Sequence, residues 1–519
     1  MKLHAVDAAI VFAYFAGILA LGLRVSRRNR DTDRYFLGGR DFPGWAIGIS
    51  FIGAMISSVT FIALPADSFK TAWLRFLPNL AFPFVTLLAL LVFIPFFRRG
   101  TVTSAYQYLA LRFGPSISAY GATLFLVAQI VRTASIAYLV AVLMSAMTGL
   151  AIPWCILVSG GITAAYTIKG GFAAVVWTDV IQTVILVAGA LVILLLIARG
   201  VPGGLGAIVG EAWAAGKFSL RDLNPATGLL EPGGAGFSLT EKTAAMLVLV
   251  GFMQYLANTL NQETVQRWCS ARSAREARKS MLILGAGCLP VWGVFMFIGT
   301  ALWVYYRHFP DPVAAEVLAG GQKAEMILPH FIITAMPAGL VGLVIAAALA
   351  AAMSTLSGAI NSASMVLVRD LYKAWLVKDR PEPHYLRAGR LASFAVSALM
   401  IAGAYLFHVS DAKTLTDLQI IVTAIIGGGV SGMFLLGMLT RRGDARAVLA
   451  GIVATLLFSF YALLMQAGLL PRAFDPYYTS ILGNIVMLAA GYAAARLLPP
   501  RPRDLANLTV WDQSKDPMI

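Results

Sequence analysis

The chain has 519 residues, of which 59% are hydrophobic and 13% charged, with a mean hydropathy of +0.78. A water-soluble domain carries about a quarter charged residues, so this composition excludes an ordinary soluble fold and points to one polytopic membrane unit spanning 1–519. A formal net charge of +15 would suggest nucleic acid in a soluble protein, so the placement of the basic residues has to decide what that charge means.

A helix needs about 20 apolar residues to cross the hydrocarbon core. Thirteen stretches qualify: 6–23, 44–66, 76–97, 117–146, 152–168, 173–199, 241–260, 281–306, 337–366, 388–408, 417–439, 446–467 and 480–498. The first is followed by an arginine-rich loop and not by a small-residue cleavage site, so it reads as a spanning helix. An odd number of spans puts the termini on opposite sides of the membrane. With the N-terminus outside and the C-terminus cytoplasmic, cytoplasmic segments hold 28 of the 40 Lys and Arg residues and outer segments hold 11. This is the bias of the positive-inside rule. It assigns the chain to a cell membrane and accounts for the basic balance without nucleic acid. The 200–240 stretch, rich in Gly and Pro, is expected to be irregular with one short helix. The basic residue left over is Arg132.

Along the chain, the span at 44–66 is interrupted by Gly48, Gly53 and the cluster Ser57, Ser58 and Thr60. Broken helices at the midplane are where secondary transporters expose backbone carbonyls. Arg132 lies mid-span, where an ionised side chain costs at least about 2.5 kcal/mol. It either pairs with Asp179 or backbone carbonyls, or anchors a substrate carboxylate, which suits guanidinium geometry. Asp179 is also intramembrane, read as a fixed salt-bridge partner, a cation ligand or a proton carrier. Half a chain after the first break, Gly251, Gln254, Asn258 and Asn261 interrupt a second span, which fits an inverted repeat. In 346–373, Ser354, Thr355, Ser357, Ser362 and Ser364 set hydroxyls among Ala and Gly; they either bond back to the preceding turn in ordinary packing or supply oxygens to a hard cation such as sodium.

Other chemistries lack their residues. Gly210 to Lys217 has five residues between its glycines, and Phe218 stands where a phosphate-binding loop needs Ser or Thr. The five histidines are scattered, Cys155, Cys269 and Cys288 have no metal or disulfide spacing, and no catalytic set suggests an enzyme.

Five ordered motifs, RYFLGGRDFPGWAIG, TSAYQYLALRFG, GGFAAVVWTDVIQ, NQETVQRWCSARSAREARKS and AAAMSTLSGAINS, make the chain resemble the sodium:solute symporter family from about residue 30 to the eleventh span. The run SSVTF, the following IALPA, Trp73 and Arg132 look most like its bacterial sialic acid symporters. The resemblance implies an all-α, LeuT-like membrane protein of about 13 helices with two inverted five-helix repeats, 44–199 and 241–439, and peripheral helices at 6–23, 446–467 and 480–498. It implies Na+ as the coupling ion, at a main site of Gly53, Ile56 and Ala351 carbonyls with the Ser354 and Thr355 hydroxyls. Asp179, Ser354 and Ser357 match a second sodium site found in some members, although Gly358 stands where another hydroxyl is expected. For the substrate it implies Ser57, Thr60, Asn79 and Arg132, with Gln254 on the second broken span. Met55 replaces a hydroxyl, and Arg75 replaces an aromatic, either as a second pocket cation or as a solvated outer-loop residue. The expected activity is import of a small organic anion by a transporter working as a monomer in the bilayer, the rival being a neutral solute with Arg132 structural.

Overall fold

The computed structural model describes residues 4–26, 29–99, 102–223, 230–410, 429–499 and 504–512. Among these, nine helices are long and apolar enough to cross a membrane, and two bent pairs bring the number to eleven. In chain order they begin with α1 (Ala5–Ser26), the pair α2 (Gly44–Met55) and α3 (Ser58–Lys70), and α4 (Trp73–Arg98). Then come α5 (Pro115–Thr148), α6 (Ile152–Gly200), the pair α7 (Ala244–Thr259) and α8 (Gln262–Ser270), and α9 (Ala274–His308). The rest are α10 (Leu340–Val366), α11 (Glu382–Val409), α13 (Ala445–Gln466) and α14 (Thr479–Leu497), with a shorter apolar helix α12 (Val430–Leu439), outside that count, before α13. Of the expected span at 417–439, residues 417–428 lie outside the described residues.

The 49-residue α6 would be about 74 Å long if straight, more than twice the hydrocarbon core. It breaks at Gly171, whose φ of +58° suits glycine, and a Cβ there would sit 2.5 Å from the Tyr35 carbonyl. The carbonyls freed at the break are taken up by side chains: Asn29 Nδ2 donates to Lys169 and Gly170, and the Tyr35 hydroxyl to Ile168. The kink falls between the two apolar runs, 152–168 and 173–199, so α6 is two helical arms that correspond to the two expected spans. The 200–240 region carries the expected short helix, Gly204–Ala214, and in addition, among its described residues, an antiparallel strand pair, Arg221–Leu223 with Leu230–Pro232.

The middle of the bundle is α10, in which every residue from Val344 to Val366 is buried. Its Ala, Gly and Ser side chains let neighbours approach closely; an added Cβ on Gly189 of α6 would lie 2.5 Å from that of Ala347. The N-terminus of α10 is held by Asp7 of α1, whose Oδ1 accepts from Gly339 N at 2.7 Å and Gly342 N at 2.6 Å. A carboxylate there satisfies otherwise orphaned amides and meets the positive end of the helix dipole. The central helix is thus fixed in height before any ligand is considered.

Candidate substrate and sodium sites

The two bent pairs break at matching places. Between α2 and α3 the chain bends by 55°, with Ile56 at φ −99°, ψ 93° and Ser57 at φ −88°, ψ 173°. Between α7 and α8 it bends by 54°, and Asn261 begins the new helix by accepting from Glu263 N through its side chain. Asparagine is a strong N-cap because its short amide oxygen replaces the missing backbone acceptor. Each break leaves the last carbonyls of one half-helix without partners in that helix.

A cavity of about 240 Å³ opens between the breaks, walled by Met55 and Thr60 of the first pair, Asn79, Arg132, and Gln254 and Asn258 of the second. Its apolar side is Phe51, Leu64, Tyr255 and Trp292. Tyr255 donates to Asn79 Oδ1 and stacks on Trp292 with ring centroids 5.5 Å apart, so the Asn79 amide is held by its oxygen, which leaves its Nδ2 to donate. Gly251 lets α7 come this close to α4; a Cβ there would be 2.0 Å from the Pro78 carbonyl.

Below the first break lies an oxygen cluster. Thr355 Oγ1 donates to Ala351 O at 3.2 Å and lies 3.3 Å from Ala54 O. Ser354 Oγ is 2.9 Å from where a Cβ on Gly53 would be, so the glycine brings α2 onto α10. Ser354 donates to Asp179 Oδ1 at 2.8 Å, and Ser50 to Oδ2 at 2.7 Å. A hydroxyl that donates to a carboxylate keeps its lone pairs for a cation. Neutral carbonyl and hydroxyl oxygens backed by a carboxylate suit a hard cation such as sodium, and the residues present fit it.

Four charges run from the cavity to this cluster. Arg132 Nη1 is 3.7 Å from Glu263 Oε2, an ion pair too long for a hydrogen bond, and 43% of the arginine side chain remains open. Glu263 Oε1 accepts from Arg267 Nη1 at 3.1 Å, and Arg267 Nη2 lies 3.3 Å from Asp179 Oδ2. Arg267 and Asp179 expose 1% and 0% of their side chains. Arg267 also sits over the Phe51 ring, 5.1 Å from its centroid. The fixed acid beside Arg132 is therefore Glu263; Asp179 belongs to Arg267.

Residues 35–454 match the family model described as the sodium:solute symporter family. The chain belongs to that family. It is a multi-pass membrane transporter, not an enzyme, that takes a small-molecule solute with Na+ as coupling ion. The symporter is 31% identical to the sodium/sialic acid symporter SiaT of Proteus mirabilis over 96% of this chain and 97% of that one. It is 29% identical to the sodium/sialic acid symporter NanT of Aliivibrio fischeri, covering 93% and 92%. Its fold matches a solved Na+-coupled sialic acid symporter in a substrate-bound outward-open state, with a TM-score of 0.85, 28% identity and coverage of 96% and 99%. The all-α, LeuT-like class stands on that likeness.

In this symporter the breaks bring together Thr60, Asn79, Arg132 and Gln254 of the expected substrate set. Ser57 sits at the break itself but does not line the cavity. Arg75 is elsewhere: it pairs with Asp67 at 2.9 Å and Asp222 at 3.7 Å, because the turn after α3 points it toward the strand pair that carries Asp222. Of the sodium set, Ser354 packs against Gly53, Thr355 bonds to the Ala351 carbonyl of its own helix and to Ala54, and Ile56 is the buried C-cap residue that follows α2. Ser357 instead donates to the Ser354 carbonyl of its own helix at 3.1 Å. Sequence reasoning missed Glu263 and Arg267. The signal was their i, i+4 spacing after the Asn261 cap, which places both on one face of a half-helix.

Proposed function

We propose that the symporter imports an organic monocarboxylate, of the class of sialic acid and related sugar acids, by alternating access driven by sodium. The observation that carries this reading is Arg132: a guanidinium with nearly half its side chain open to a polar cavity, held by its one acid at more than hydrogen-bond distance. A bidentate carboxylate on Arg132 gains charge-assisted bonds that Glu263 does not make. Thr60, Asn79 and Gln254 supply hydroxyl and amide partners for the rest of the solute. Sodium on the Gly53, Ile56 and Ala351 carbonyls with the Ser354 and Thr355 hydroxyls ties α2 to α10, fixes the angle of the first break, and so sets Thr60 opposite Arg132. The SiaT and NanT likenesses support the same solute class. The charge bias of the loops supports an external N-terminus and a cytoplasmic C-terminus, and the cavity lies within one chain, which supports function as a monomer in the bilayer.

The Arg132–Glu263 pair also favours a second reading, in which the arginine is structural and the solute is a neutral sugar or amino acid. Sodium-gradient uptake of sialic acid into proteoliposomes, for the native protein and Arg132→Ala, separates the two. Loss of uptake with the melting temperature kept supports the clamp. Loss of stability with uptake retained by the surviving protein supports the structural role and overturns the carboxylate reading.

A further inference from the structure

We propose that Arg267 is a tethered cation occupying the second cation position of this symporter, that Gly358 makes room for it, and that one sodium ion therefore moves per cycle. The inference deepens the proposed function and rests on it for the charge of the solute, but not for the count of ions.

Asp179 with the Ser50 and Ser354 hydroxyls is a fully buried donor set of the kind that binds a hard cation, and Ser357 is one turn away. The charge facing that carboxylate is the guanidinium of Arg267, 3.3 Å from Oδ2 and gripped on its other nitrogen by Glu263 at 3.1 Å. The guanidinium reaches this position only because residue 358 has no side chain. A Cβ on Gly358 would lie 2.9 Å from Arg267 Nη2 and 2.9 Å from Glu263 Oε1. Both are ends of flexible side chains, so a larger residue displaces the arginine and leaves the helix in place.

The charges balance without a second ion. Asp179 and Glu263 are matched by Arg267 and Arg132, so the four-charge set is neutral before transport. One sodium with one monoanionic solute keeps it neutral; a second sodium leaves an unmatched positive charge beside the fully buried Asp179 and Arg267, which is disfavoured. The same glycine that withholds a hydroxyl ligand thus admits the cation that replaces the ion.

The test is a direct count of ²²Na+ bound at saturation by the purified transporter, which needs no knowledge of the solute. The native protein is expected to bind one ion, and Gly358→Ser, which adds a hydroxyl and expels Arg267, is expected to bind two. Two ions on the native protein overturn the proposal; so does one ion on Gly358→Ser with an unchanged melting temperature. If the variant fails to fold, the native count alone decides. Flux through proteoliposomes reads the consequence: sialic acid uptake by the native protein is expected to carry no current, and a current indicating two sodium ions per solute overturns the tethered cation. Absence of sialic acid uptake, with one sodium bound, counts against the solute assignment and leaves Arg267 in place.

Discussion

Thr355→Val removes a hydroxyl and almost no volume. In the structure that hydroxyl donates to Ala351 O at 3.2 Å and lies 3.3 Å from Ala54 O, at a residue with no exposed surface. Replacing it takes one of two hydroxyl oxygens from the sodium cluster and leaves buried carbonyls short of a donor. The loss of a buried polar partner costs about 1–3 kcal/mol, so sodium should bind roughly 5- to 150-fold more weakly at about 1.4 kcal/mol per factor of ten. Two readouts check this at constant ionic strength with choline as the replacing cation. The sodium concentration for half-maximal uptake should rise by that factor. The melting temperature of the detergent-purified protein should need correspondingly more sodium to climb, since ligand stabilisation grows as RT ln(1 + [L]/Kd). In choline alone, native and variant should melt within a few degrees of each other. An unchanged sodium requirement in a folded variant would remove Thr355 from the site and, with it, the argument that α10 carries the coupling.

Asp7→Ala should lower stability by about 1–2 kcal/mol, the size of a lost N-cap with its dipole contact; thermal unfolding checks it, and an unchanged midpoint would show that Gly339 and Gly342 find other partners. Gly251→Ala places a Cβ 2.0 Å from the Pro78 carbonyl, which is backbone and cannot swing away. It should destabilise by about 1–3 kcal/mol through overpacking and shift α7 enough to weaken solute binding, seen as a raised half-saturating solute concentration. Lys217, in the segment between α6 and α7, donates to the Phe69 and Thr71 carbonyls, and burial pushes its amine down to about 7. The folded protein then holds this proton more weakly than the unfolded chain, so stability should rise with pH from about 7 toward the unfolded value of about 10.4. Lys217→Met should flatten that rise between pH 7 and 9, and parallel melting profiles for the two proteins would refute it.

The spans were readable because hydrocarbon imposes a length and a composition on every lipid-facing helix. The breaks at Ser57 and Asn261 were readable because each residue type has a local reason to begin a new helix; Gly171 did not stand out. Arg132 stood out as a charge inside an apolar run, but its partner did not: Glu263 lies far along the chain, in the polar run NQET, and the pairing exists only once α5 and α8 are packed together. Arg75 carried no local mark at all. Whether it faced the cavity or Asp67 was fixed by the turn following α3, and no residue type at position 75 dictates that turn.

Arg267 is the instructive miss, because it was legible and was assigned to the wrong environment. Counting by apolar runs closes the seventh span at 260, so Arg267 falls among the cytoplasmic charges that set topology. The chain instead continues as α8, a polar half-helix in which Gln262, Gln266, Arg267 and Trp268 are all buried. Hydropathy reads the cost of meeting lipid, and α8 meets none: it is wrapped by α10, whose Asn361 accepts from Gln266, and by the short helix Thr32–Leu37, whose Phe36 carbonyl does the same. A polar helix at membrane depth is permitted where protein, not lipid, surrounds it. The charge bias survives the reassignment of one residue, which is why topology gave no warning. What would have given warning is the i, i+4 pair of Glu263 and Arg267 directly behind an asparagine cap, a pattern that a disordered loop has no reason to carry and that a buried half-helix between two charged sites requires.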